Sequence, residues 1–240
     1  NVAEAQEMVD LARSRGATLQ VGHIERFNPA VRAALDLGVK PVFIESHRMS
    51  PFRFRSVDVG VVFDLMIHDI DLVLRFVGAE VESVDAAGAP VISPSEDIAS
   101  ARLSFANGCV ANLTASRVSM KSMRKTRLFS RDRYVSIDSE AKETVVCRKS
   151  PRFEETAARL RQRDAGALAE LKALAFGDLV NVEKLKLPDV EPLKAELESF
   201  VAAAREKRAP EVTGEDGLRA VRTAAQIVEL IQGRLRRAGW

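Results

Sequence analysis

The sequence is poor in the residue types that several chemistries need. It has two cysteines, Cys109 and Cys147, among 240 residues. That is too few for a disulfide framework; a single bridge is the alternative to the simpler reading of two free thiols. One Trp and one Tyr leave little to stack nucleic-acid bases on, and a net charge of only +2 gives no electrostatic footprint for a phosphate backbone. No apolar run approaches the about 20 residues that cross a bilayer. The opening Asn1-Val2-Ala3-Glu4-Ala5 lacks the basic and apolar segments of a signal peptide. The three histidines, His23, His47 and His68, stand far apart, with no cysteine or second histidine at ligand spacing, so no metal site is expected. There is no Gly-x-Ser-x-Gly, no G-x-G-x-x-G and no repeat of fixed period. A cytoplasmic globular protein with no nucleic-acid or membrane partner is the expectation.

What is present starts with a helix over Ala3–Arg15, closed by Gly16, and a short apolar strand over Ala17–Gly22. That order reads as the end of an α/β unit. Asn28 and Pro29 supply the N-cap and first position of a helix running to Leu37. A strand over Val42–His47 and an apolar helix over Phe63–Val77, stopped by Gly78, come next.

From Val81 to Cys147 the pattern becomes one of strands. The loop Ala106-Asn107-Gly108 puts Phe105 opposite Cys109, Leu103 opposite Ala111 and Ala101 opposite Leu113, with all apolar side chains on one face. A second hairpin pairs Thr126–Ser130 with Tyr134–Asp138. Phe153–Leu174 is expected to be helical, Leu179–Leu187 a strand, and Glu191–Lys207 a helix with Leu193, Leu197, Phe200 and Val201 on one face. Thr213-Gly214-Glu215-Asp216 has the form of a capping box before a last helix to about Arg236. The fold class is α+β: an open-faced, mainly antiparallel sheet covered by helices, preceded by an α/β remnant.

Three clusters carry candidate chemistry. Asp64 and His68 are i and i+4 on a helix, with Asp71 three residues further on. A carboxylate beside an imidazole orients it, and histidine titrates near neutrality, which suits proton transfer with a hydroxyl. Three acidic groups and a histidine in so apolar a helix need a reason; the plain alternative is an N-cap aspartate and a satisfied core histidine. His23-Ile24-Glu25-Arg26-Phe27-Asn28 follows a strand end, where α/β proteins bind ligands. Arg26 and Asn28 are candidate donors to a cofactor amide or sugar, or else a surface charge and a helix cap. Arg117, Lys121, Arg124, Lys125 and Arg127 form a basic stretch that suits a diphosphate, or a solvated strand edge. Arg53 and Arg55 are equivalent candidates.

Together these motifs resemble the glucose–fructose oxidoreductase / inositol dehydrogenase / MocA family. Ala3-Glu4-Ala5 through Val21-Gly22-His23 looks like its last Rossmann helix and strand. Arg26-Phe27-Asn28-Pro29 looks like the following segment, Asp64 and His68 like its catalytic D-x-x-x-H, and Glu191-Pro192-Leu193 with Glu215–Ala220 like its C-terminal helices.

The resemblance implies a Rossmann remnant over 1–22 and a substrate-binding and oligomerisation domain over 23–240. It implies an NAD or NADP cofactor met by His23 and Arg26, catalysis by His68 oriented by Asp64, and a homodimer or homotetramer formed through the sheet. A sugar or nucleotide-sugar substrate would be held by Arg26, Asn28, Arg53, Arg55, Arg117 and Lys121. Within the family the likeness is to the branch that oxidises C3 of UDP-N-acetylglucosamine, whose product can serve lipid A biosynthesis. Another polyol or free sugar, or a binding and assembly module, are the alternatives. The family's glycine-rich loop and Glu-Lys-Pro motif have no counterpart here, which is expected of a truncated enzyme.

Overall fold

The period-2 pattern around Gly108 fixes the middle of the sheet. In the computed structural model, which describes residues 1–53, 58–162, 166 and 180–239, Ala101 pairs with Leu113 and Leu103 with Ala111, as expected. Gly108 takes the left-handed conformation, φ 82°, that lets the chain reverse there. These residues belong to β3 (Ile98–Phe105) and β4 (Val110–Ser116). The second hairpin, β5 (Met123–Phe129) with β6 (Arg133–Asp138), pairs Thr126 with Ile137 and Phe129 with Tyr134.

Six of the seven pairings among the described strands are antiparallel. β1 (Phe43–Met49) lies between β4 and β5, parallel to β4 and antiparallel to β5. With β2 (Val81–Ala89), β7 (Glu143–Lys149) and β8 (Val180–Lys184), the eight-stranded order is β2-β3-β4-β1-β5-β6-β7-β8. β5 is therefore interior, and its basic residues do not guard an edge: Lys125 meets Asp138 and Arg127 meets Glu45 on the same face.

Alternation sends Ile44, Ala101, Leu103, Ala111, Leu113, Leu128, Val135, Ile137 and Val146 to one buried face. Helices α2 (Pro29–Asp36), α3 (Ile67–Val77) and α6 (Gly214–Arg237) cover it. The other face is only half-buried and mixes Phe43, Phe129 and Tyr134 with charged pairs. α1 (Val2–Arg15), α4 (Pro151–Arg161) and α5 (Pro192–Glu206) complete the helices used below. No helix among the described residues is long and apolar enough to cross a membrane.

Capping follows the sequence closely. The Asn28 side chain accepts from Ala30 N, and Thr213 and Asp216 form the reciprocal capping box of α6. Gly78 ends α3 at φ 62°.

Two expectations change, and a third is met as far as the described residues reach. Residues 17–22 are extended but form no strand: one bridge joins Gln20 to Thr213, and Val21 N donates to Val212 O. A strand needs a partner ladder, and this segment meets only the lead-in to α6. The expected helix from Phe153 is formed over Pro151–Arg161, and the rest of its range, apart from residues 162 and 166, lies outside the described residues. The helix expected from Phe63 is α-helical only from Ile67; Val62–Met66 is a wider π-helical turn.

Candidate active site

α3 is apolar because it lies under the sheet, yet it buries Asp69 and Asp71. Both are matched by arginines from other elements. Arg26, in the 3₁₀ turn Ile24–Phe27, donates Nε to Asp71 Oδ2 at 2.7 Å and Nη2 to Asp71 Oδ1 at 2.6 Å. Arg48, at an inward position of β1, donates Nε and Nη2 to Asp69 at 2.8 and 3.1 Å, and Nη1 to Glu25 Oε1 at 2.9 Å. Such planar two-point pairing suits a guanidinium and holds both charges where water does not reach. Burial works against each arginine's charge, and the facing carboxylates more than offset it, so both are held above their ordinary range.

His68 sits beside these pairs in the first turn of α3, half-buried. The ring of His23, which precedes the 3₁₀ turn, stands edge-on to it with centroids 5.9 Å apart and planes at 90°. His23 Nε2 is 3.9 Å from Asp71 Oδ1. Burial lowers the pKa of His23, and the Arg26 charge adds to this against Asp71 and Asp216. Burial also lowers His68, with Arg48 and His23 adding to it against Asp69 and Glu25. Three nitrogens here are buried without a hydrogen-bond partner among the described residues: His23 Nε2, Arg26 Nη1 and His68 Nδ1. Unsatisfied polar atoms of this kind are costly in a finished core and point to a ligand surface.

Asp64 accepts no hydrogen bond from the His68 Nδ1, so the expected orienting contact is not made there. The π-helical turn over Val62–Met66 has a wider period, so residues four apart no longer stack. Asp64 instead lines a neighbouring cleft with Arg48, Ser50, Arg53, Arg117, Ser122 and Arg124. Arg48 borders both the cleft and the histidine pair.

Of the other expected residues, Asn28 is occupied as a cap: it accepts from Ala30 N and donates to Ser139 O at 2.9 Å. It is not a free sugar donor. Arg117 is buried; it donates Nε to Asp97 at 2.7 Å, Nη1 to Val59 O and Nη2 to Ser93 Oγ. It ties loops together, so the expectation of a phosphate contact there is corrected. Arg53 is exposed on the cleft, and Lys121 is exposed on the loop after β4. Arg55 lies outside the described residues. Sequence reading missed Arg48, Glu25 and Asp69 as site residues. The available signal was an arginine at an inward-facing strand position, two residues after one buried serine and four after Ile44.

Residues 36–133 match the GFO/IDH/MocA C-terminal domain. The chain is 33% identical over 235 residues to the UDP-N-acetylglucosamine 3-dehydrogenase of Acidithiobacillus ferrooxidans, covering 98% of this chain and 69% of that one. It is 28% identical over 134 residues to the scyllo-inositol 2-dehydrogenase (NAD(+)) of Bacillus subtilis, covering 50% and 39%. A solved structure of the Acidithiobacillus enzyme superposes with TM-score 0.84 at 31% identity, over 97% of this chain and 68% of that one. Levoglucosan dehydrogenase in complex with NADH and levoglucosan shares the fold, with TM-score 0.75 at 16% identity over 97% and 68%.

Proposed function

The chain belongs to the GFO/IDH/MocA family of oxidoreductases, and from that premise we propose that it is the substrate and assembly part of an NAD(P)-dependent sugar dehydrogenase acting at C3 of a UDP-N-acetylhexosamine. In this reading residues 1–22 end a dinucleotide-binding domain and residues 23–240 form the substrate domain. The observation that carries it is the group of buried nitrogens without hydrogen-bond partners on His23, Arg26 and His68, with the two imidazole rings in contact.

Those residues fit a nicotinamide cofactor and a sugar: Arg26 Nη1 is a donor without an acceptor, and the two imidazoles offer a donor or an acceptor each. When bound, the cofactor supplies hydride acceptance. The chain's own residues do the rest. His68 is kept neutral by burial and by the Arg48 charge, so it is ready to take the proton of the sugar hydroxyl. Asp64, from the adjoining cleft, is the second catalytic candidate; its place there suits an acceptor for the sugar better than a support for His68. Arg53, with Arg124 beside it, offers the cleft a surface for the diphosphate. Arg55 and Lys121 belong to the same reading.

A homodimer or homotetramer through the open sheet face is part of the proposal, supported by the Phe43–Phe129–Tyr134 ring cluster, with centroids 5.9 and 5.0 Å apart. A reducing cytoplasmic location accords with free Cys109 and Cys147.

The test is reduction of NAD⁺ and NADP⁺ by the full-length enzyme offered UDP-N-acetylglucosamine, myo-inositol and glucose. Turnover of the UDP-sugar, abolished in His68→Ala with the fold intact, is the expected result. Turnover of myo-inositol or glucose alone would replace the nucleotide sugar with a free polyol or sugar. An active His68→Ala would remove His68 from the chemistry.

A further inference from the structure

The proposed reaction uses one imidazole, and the site holds two. His23 arrives from the extended segment before the 3₁₀ turn, His68 from the first turn of α3, and their rings meet edge to face at 5.9 Å. His23 Nε2 and His68 Nδ1 are both buried without a hydrogen-bond partner among the described residues.

The charges around the pair come from five elements. Facing His23 are Asp71 from α3, Arg26 from the 3₁₀ turn and Asp216 from the start of α6. From α5, Glu196 Oε1 stands 3.5 Å from where a side-chain carbon on Gly22 would lie. Facing His68 are Arg48 from β1, Glu25 from the 3₁₀ turn and Asp69 from α3 itself. The nearest carboxylates are already committed. Asp71 takes two hydrogen bonds from Arg26, Asp69 takes two from Arg48, and Glu25 takes the third from Arg48. A counter-ion that already holds a guanidinium does little for an added imidazolium. Two such charges, one ring apart in a site this dry, would repel strongly.

We propose that His23 is a positioning residue for His68, and that the two rings form a unit able to hold one positive charge but not two. The role rests on the reading of His68 as the base. His68 then enters the reaction uncharged, and once it has taken the hydroxyl proton His23 stays neutral beside it. The edge-on packing also fixes the plane of the His68 ring. The lowered pKa of each ring, caused first by burial and then by neighbouring positive charge, agrees with this.

The chain has three histidines, so a proton NMR titration of the 240-residue protein can follow each ring, with His47→Gln completing the assignment. The expected wild-type result is that His23 and His68 titrate in two linked steps, each ring sensing both, at midpoints below 6.5. In His23→Gln and His23→Phe the His68 midpoint should rise by about half a pH unit or more. The acid limb of the kcat/KM profile of the full-length enzyme should move the same way, and His23→Lys should move it oppositely. An unchanged His68 midpoint in the folded variants would overturn the proposal. So would independent single-step titration of each ring in the wild type, which needs no variant to fold. If His68→Ala stays active, the catalytic reading fails while the ring coupling is still measured on its own.

Discussion

Arg26 and Asp71, 45 positions apart in sequence, are joined by two hydrogen bonds and are 2% and 1% exposed. A pair this deep is expensive to form and more expensive to break, because removing one partner strands the other's charge in a dry core. Arg26→Ala should lower stability by about 3–5 kcal/mol in urea unfolding. Arg26→Lys should recover only part, since an ammonium cannot make the two-point contact. A loss under 1 kcal/mol in Arg26→Ala would show that Asp71 finds another partner or protonates.

The histidine pair gives stability a pH dependence of known sign. Both folded-state pKa values lie below the ordinary 6.5. Between the folded values and 6.5 the unfolded chain binds more protons, so stability rises with pH across that window and is fully present above it. Acidification from neutrality toward pH 5 should lower the urea midpoint, and the decline should be shallower in His23→Gln. A midpoint flat over that range would contradict the lowered values.

The cleft separates arginines that look alike in sequence. Arg124→Ala or Arg53→Ala should raise KM for a UDP-sugar about tenfold, the size of one charged contact, with kcat nearly kept. Arg117→Ala should instead act on stability, because it leaves Asp97, itself 0% exposed, short of its buried guanidinium partner. The reverse pattern, with Arg117→Ala stable and weak in binding, would restore Arg117 as a ligand.

Gly217 on α6 faces Val21, whose Cγ2 would lie 2.6 Å from an added Cβ. Gly217→Ala should therefore push the 17–22 segment off the helix and cost about 1–3 kcal/mol by overpacking. Val21→Ala in the same chain should relieve part of that cost; if the double variant is no better than the single, the contact is not the cause.

The two thiols should react in order. Cys109 is 1% exposed and burial pushes its thiol up to about 11. Cys147 is half-buried on the open sheet face. A disulfide reagent at pH 8 should label Cys147 in the native protein and Cys109 only as the chain opens. Equal rates would mean that the β3–β4 turn breathes.

The hairpin register could be read in advance because it is local: a left-handed glycine and a period of two leave a single pairing that buries Ala101, Leu103, Phe105, Cys109, Ala111 and Leu113 on one face. The caps of α2 and α6 are local too. His68 stands out because an imidazole and three acids in an apolar helix demand partners. Those partners, Arg26 and Arg48, are 45 and 21 positions from their aspartates, and nothing short-range announces them. The Asp64–His68 spacing was misleading for a related reason. The spacing fits an α-helical period, but here the backbone is π-helical, with about one more residue per turn, and hydrophobic pattern does not distinguish the two. Arg117 looked like part of a surface stretch because neighbouring charges hid that its own strand end turns inward.

The parallel pairing of β1 with β4 sets a schedule for assembly. Phe43 meets Val110 across a stretch of chain that holds α3 and strands β2 and β3. The β2-β3-β4 meander closes through short loops and can form early, whereas β1 must find its slot by closing the longest loop in this half of the sheet. Arg48 rides on that late strand. Until it docks, Asp69 has no guanidinium and His68 no neighbouring cation. Any intermediate that holds the meander and α3 but not β1 would carry a bare carboxylate and a His68 without the Arg48 charge beside it. The Asp69–Arg48–Glu25 part of the site is therefore complete only once β1 has docked.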